Sequence, residues 1–146
     1  MPPRSVSGMT DIRFGFFPLT VDDVDAALVF YRDALGLTVL NDVSGNGWRW
    51  LSLGVPEQPG VVLVLSAPGA GRSPDDGEQL ARLVAKGAGP GPSVFSTHDL
   101  DATFERIRAT GAEVLQEPMD QPWGPRDCAF RDPAGNLVRV NGARRG

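Results

Sequence analysis

The 146-residue chain has one histidine, His98, one cysteine, Cys128, and one lysine, Lys86. A single thiol can form neither an internal disulfide nor a cysteine-based zinc cluster, and it suits a reducing compartment. A single imidazole leaves little for general base catalysis or metal binding, which both lean on histidine. Apolar runs such as Val61–Leu65 fall far short of the roughly 20 residues of a spanning helix, so no membrane partner is expected. The opening MPPRSVSG has no apolar stretch behind Arg4, which argues against a secretory signal and for a cytoplasmic location. A basic excess is also missing: 14 Lys+Arg face 18 Asp+Glu for a net charge of −4. Nucleic acid is therefore not the expected partner.

What is present is patterned. Residues 1–11 read as a disordered tail and 143–146 as a frayed end, leaving one domain over 12–142. The run Ile12–Val21 is aromatic and β-branched, a strand with Phe14, Phe16 and Pro18 on one side; Pro18 lacks a backbone donor and places it at a sheet edge. Asp23 is an N-cap for a helix whose stripe is Val24, Ala27, Leu28, Tyr31 and Leu35, closed by Gly36. Strands follow at Leu37–Val43, Trp48–Leu53 and Val61–Ser66, which makes module one, 12–66, a βαβββ unit. Residues 67–90 read as a linker with a short helix over Glu78–Lys86.

The order then repeats. Shifting the chain by 76 residues lays LTVDDVDAALVFYR (19–32) over FSTHDLDATFERIR (95–108), with Asp23 on Asp99 and Asp25 on Asp101. A strand at 93–97, a helix at 100–110 and strands at 112–116, 126–131 and 137–141 make module two, 91–142. DPAGN (132–136) is the tight turn between its last strands. Two copies at this spacing indicate a duplicated half-domain.

VDDVDAALVFYRDALGL (21–37), HDLDATFERIRATGAEV (98–114) and FRDPAGNLVRV (130–140) resemble the vicinal oxygen chelate superfamily of glyoxalases, bleomycin-resistance proteins and dioxygenases. The resemblance implies an α+β fold in which two βαβββ modules pair into a curved, cup-shaped mixed sheet with helices on the convex side, and a homodimer. It also implies where a metal would be held: by His and Glu at cup-facing positions of the first and last strand of each module. Those positions fall here on Phe16, Val64, about Pro92, and Arg139. None is a ligand, so neither metal nor other cofactor is expected, and a cationic Arg139 would repel a metal ion.

A cup without metal must hold something else or be self-filled. Phe14, Phe16, Val62, Val64, Val94 and Leu137 are expected on its apolar floor, as ligand or as plain core. Trp48 and Trp50 share a strand face, and Trp123 lies in QPWGP (121–125); each could stack on a planar ligand or simply pack. Arg139 needs an anion, supplied by the ligand or internally, for instance by Asp127. Arg49 and Arg126 are weaker versions of the same idea. His98 reads as a helix-entry residue, Cys128 as a small buried hydrophobe and Tyr31 as core.

The leading expectation is a non-catalytic protein that binds an aromatic or hydrophobic small molecule, such as an antibiotic, with an anionic group as one option for Arg139. The alternatives are a glyoxalase-like lyase, dioxygenase or isomerase with non-standard catalytic groups, and a structural partner protein with a filled cup.

Overall fold

The computed structural model describes residues 10–144; residues 1–9 and 145–146, the outer parts of the two expected tails, lie outside the described residues. Two four-stranded mixed sheets with helices make an α+β fold. In the first, β1 (Phe17–Thr20), β2 (Thr38–Gly45), β3 (Trp48–Val55) and β4 (Gln58–Ser66) take the order β1-β4-β3-β2. In the second, β5 (Ser93–Ser96), β6 (Glu113–Asp120), β7 (Arg126–Arg131) and β8 (Leu137–Gly142) take the matching order β5-β8-β7-β6. Each sheet has a parallel pair at one edge, β1 with β4 and β5 with β8, and neither closes on itself.

The first strand is shorter than the apolar run that announces it. Its ladder begins at Phe17, opposite Leu63, so Ile12 to Phe16 stand outside it. Gly15 and the edge Pro18 are poor ladder residues, and hydrophobicity alone does not supply a pairing partner. Helix α1 (Val24–Leu28) starts where the Asp23 carboxylate accepts from the Ala26 N–H, and it continues as a π-helical turn, Val29–Ala34. Gly36 follows at φ +87°, a left-handed value that favours glycine. Helix α2 spans Pro74–Ala85 and starts ahead of the expected Glu78. Ser73 caps it by accepting from Asp76 N–H, Pro74 fits the first turn, and Asp75 and Asp76 complement the dipole. Helix α3 (Leu100–Ala109) repeats the α1 start, with Asp99 accepting from Ala102 N–H.

The helix-bearing faces of both sheets share one core. Leu19, Leu51, Leu53 and Leu65 from the first sheet and Cys128, Phe130, Val138 and Val140 from the second join Phe30, Tyr31, Phe104 and Ile107 from the helices. Each large side chain buried there contributes on the order of 1.5–3 kcal/mol. A polar lock crosses this core. The Tyr31 hydroxyl donates to Asp132 Oδ2 at 2.7 Å, and Asp132 Oδ1 accepts from the N–H groups of Ala134, Gly135 and Asn136. The Asn136 amide donates to Thr20 O at 2.7 Å, tying the DPAGN turn of module two to β1 of module one. Burial and the Asp132 carboxylate together raise the Tyr31 pKa, so the phenol stays a donor. Gly135, at φ +116°, lies so close to the backbone of Val84 and Ala85 that a Cβ there would collide with α2.

Candidate functional site

With one face of each sheet committed to the core, the opposite faces stay open. In module one, strand alternation from the pairs Pro18↔Val64 and Ser52↔Val64 puts Pro18, Val64, Ser52 and Trp50 on the open side. Phe16 meets Trp50 edge to face, ring centroids 5.1 Å apart at 87°. On this side Val64 is 2 % exposed yet stands apart from the main core, whereas Trp50 is 39 % and Phe16 42 % exposed. Trp48, on the same strand face as Trp50, is exposed at the β2–β3 turn, and Phe14 is exposed on the segment before β1.

In module two, the pairs Val94↔Arg139 and Ala129↔Arg139 put Val94, Arg139, Ala129 and Asp127 on the open side. Val94 is exposed. Arg139 is not alone: Nη1 donates to Asp127 Oδ2 at 3.0 Å and to Gln116 Oε1 at 3.2 Å. The other Asp127 oxygen accepts from Gln116 at 2.9 Å and Gln121 at 2.7 Å. Burial of Asp127 opposes its ionisation, but the two glutamine amides and the Arg139 charge outweigh it and hold its pKa below the ordinary carboxylate value. Gln121 also opens the turn that carries exposed Trp123, closed by Gln121 N–H to Pro125 O at 2.9 Å and held by Arg144, which donates to Gln121 O. Trp123 is thereby anchored to the Arg139 cluster.

Gln116 and Gln121 were not legible as site residues. A glutamine in one sequence carries no mark of burial, and only the neighbouring PWG turn pointed to this place. Arg49 and Arg126 look away from the open faces. Arg49 pairs with Asp25 at 3.1 Å and Asp42 at 2.9 Å; Arg126 pairs with Asp101 at 3.0 Å and Asp120 at 3.8 Å. Since Asp25 and Asp101 are repeat equivalents, these are two copies of one strap between strand and helix start. Cys128 is fully buried, and that burial pushes its thiol up to about 11. Exposed His98 stands just before the capping Asp99.

A cleft of 1290 Å³ runs between edge strands β1 and β5, with Phe17, Val61 and Val94 on its walls and His98 and Arg106 at its margin. Of the sequence-predicted site residues, Val94 alone lines it. The cleft meets the open faces at Pro18 and Val94, and the other predicted site residues stand outside it.

The residues present do not fit the superfamily's metal. Val64 and Arg139 are structurally equivalent, since each pairs with its own module's β1-type strand and lies across from Ser52 or Ala129. An isopropyl group and a cation already paired to a carboxylate offer a divalent ion no donor. Among the described residues no group of three or more His, Cys, Asp or Glu side chains is placed to hold one. No helix there is long and apolar enough to cross a membrane.

Solved structures share this fold. The crystal structure of UcmS2 superposes with a TM-score of 0.80 at 32 % identity, covering 90 % of this chain and 98 % of that one. TnmS3, described as an antibiotic binding protein from Streptomyces sp. CB03234, gives 0.68 at 28 % identity, covering 93 % and 99 %. The anthracycline biosynthesis protein DnrV of Streptomyces peucetius is 28 % identical over 137 residues, 86 % of this chain and 45 % of its own length. The sequence profile of the Glyoxalase/Bleomycin resistance protein/Dioxygenase superfamily matches residues 13–140, and the chain belongs to that superfamily.

Proposed function

We propose that this protein binds an aromatic or hydrophobic small molecule of the antibiotic kind on its open sheet faces and sequesters it without a metal and without altering it. The observation that carries this reading is the exposed Phe16–Trp50 ring pair, with Trp50 on the same sheet face as Val64, where the superfamily would place a metal ligand. Rings left half exposed at fixed geometry are a stacking surface that costs little to order on binding. TnmS3, described as an antibiotic binding protein, supports the ligand class.

The protein works as a homodimer in this proposal. Each open face is half of a cup, and the exposed Trp48, Trp50, Val43 and Phe16 on one sheet and Val94, Leu115 and Met119 on the other form apolar surface that a second copy would cover. Phe14, Val94 and Trp123 then stand at the cup's edge, and Arg139 supplies its polar contact. The unpaired, buried Cys128 fits a reducing cytoplasmic setting.

The test is titration of the purified protein with acridine, fluorenone and an anthracycline, read by tryptophan fluorescence, with sedimentation for the dimer. Quenching is expected, lost in Trp50→Ala and reduced in Trp123→Ala, with the compound recovered at unchanged mass. No response from any compound would overturn binding. A changed mass would point to catalysis, and stoichiometric metal by elemental analysis would overturn the metal-free reading.

A further inference from the structure

The strongest unassigned feature is the arrangement around Arg139. Its Nη1 is used twice, for Asp127 and Gln116, while Nη2 and Nε have no partner among the described residues and are not among the buried, unpartnered atoms, so they face solvent. Asp127 is fully engaged: Oδ2 by Arg139, Oδ1 by Gln116 and Gln121. The Arg139–Asp127 pair therefore presents strong N–H donors and no net charge. The surrounding charges cancel too, Arg126 and Arg144 against Asp101 and Asp120, with Arg144 taken up by the carbonyls of Gln121 at 2.6 Å and Gly124 at 3.2 Å.

We propose that Asp127 is a built-in counter-ion that sets the charge class of the ligand: Arg139 receives an uncharged acceptor, a ketone or quinone carbonyl on an aromatic ring system, and disfavours carboxylates and sulfonates. The proposal rests on the small-molecule reading above and removes the anionic option left open for Arg139. An incoming anion would shed its hydration and meet a cation already compensated 3.0 Å away by a carboxylate that the glutamines keep in place. A carbonyl sheds far less hydration and still gains a charge-assisted hydrogen bond. Exposed Val94, beside Arg139 in the ladder, and Trp123, tethered through Gln121, give the ring system apolar surface on either side of the donor.

Three matched planar probes test this: fluorene, 9-fluorenone and 9-fluorenone-2-carboxylate, titrated by calorimetry into the wild type, Asp127→Asn and Arg139→Met, each variant first checked for cooperative unfolding. Wild type should bind fluorenone about tenfold more tightly than fluorene, the size of one hydrogen bond to a charged donor, and no less tightly than the carboxylate. Asp127→Asn should raise affinity for the carboxylate about tenfold relative to fluorenone, since it leaves Arg139 uncompensated. Arg139→Met should bring fluorenone and fluorene to equal affinity, a readout that survives even where Asp127→Asn fails to fold. A wild type that prefers the carboxylate, or binds all three alike, overturns the counter-ion proposal and leaves aromatic binding standing. Failure of all three to bind overturns the aromatic reading and this proposal with it.

Discussion

Trp50 and Asp127 occupy matching places in the two modules, and so do Val64 and Arg139. The ladder Leu51↔Leu65, Leu53↔Leu63 in module one corresponds to Cys128↔Val140, Phe130↔Val138 in module two. The intervening open-face positions therefore correspond as well. One copy of the duplicated sheet spends them on rings and aliphatics, the other on an ion pair with two glutamines. The helix-bearing faces, by contrast, kept their pattern, including the strap from Arg49 or Arg126 to the first-turn Asp25 or Asp101. A shared core restrains one face of each sheet, whereas an open face is free to diverge, and divergence is where a binding specificity can be built.

The second asymmetry is the lock. Module two joins β7 to β8 through residues 132–136, whose Asp132 and Asn136 reach Tyr31 and Thr20; module one closes β3 to β4 with Pro56 and Glu57 alone, between Val55 and Gln58. The repeat equivalent of Tyr31 is Ile107, which has no hydroxyl to satisfy. Asp132→Ala should therefore be the most damaging substitution, orphaning a buried phenol and several N–H groups at a cost of about 3 kcal/mol or more in urea unfolding. Tyr31→Phe removes one hydrogen bond to the carboxylate and should cost about 1.5–3 kcal/mol. A loss below about 0.5 kcal/mol for both would show that the modules are held by apolar packing alone.

The ion pair on the second open face comes next in size. Arg139→Met leaves Asp127 two of its donors and removes a partly exposed cation, for an expected loss of about 1–2 kcal/mol. The matched change in module one, Val64→Ala, deletes two methyl groups from a buried site and should cost about as much through burial, yet without pH dependence. The difference lies in Asp127. Its folded pKa is below its unfolded one, so it adds stability above the unfolded value and forfeits it as pH falls through the folded value. Unfolding midpoints followed from pH 7 to pH 2.5 should fall more steeply below about pH 4 in wild type than in Asp127→Asn. Parallel curves would remove the electrostatic half of the comparison.

Much of this was legible from the chain, for reasons that differ by residue. Asp23 and Asp99 are acceptors placed where helix starts need them, Gly36 sits where a left-handed residue is wanted, and the 76-residue offset exposed the duplication. Open-face membership of Val64, Val94 and Arg139 follows from strand alternation, whereas Phe16 precedes the ladder and reaches Trp50 from outside it. Ser73-Pro74-Asp75-Asp76 carries a capping hydroxyl, a first-turn proline and two acids, a helix start ahead of the expected Glu78. The extent of β1 was hidden because Phe14 and Phe16 look like strand residues whether or not a neighbour pairs with them. Partners at long range, Tyr31 with Asp132 or Gln121 with Asp127, leave no local trace.

The smallest expected effect concerns the core position where the copies differ in chemistry and agree in role. Cys128 stands where module one has Leu51, and both are fully buried. If the thiol is there to fill space, Cys128→Val should cost less than about 1.5 kcal/mol, as volume-conserving apolar exchanges do. With its pKa pushed up to about 11, roughly one thiol in a thousand is ionised at pH 8, and burial denies even that fraction to reagent. A disulfide reagent at pH 8 should therefore leave the native protein unlabelled for hours and label it within minutes in 8 M urea. Prompt labelling of the native state would mean that β7 opens, and with it the Asp127 that precedes the cysteine on the strand, so the rigid counter-ion of the second open face would have to be given up.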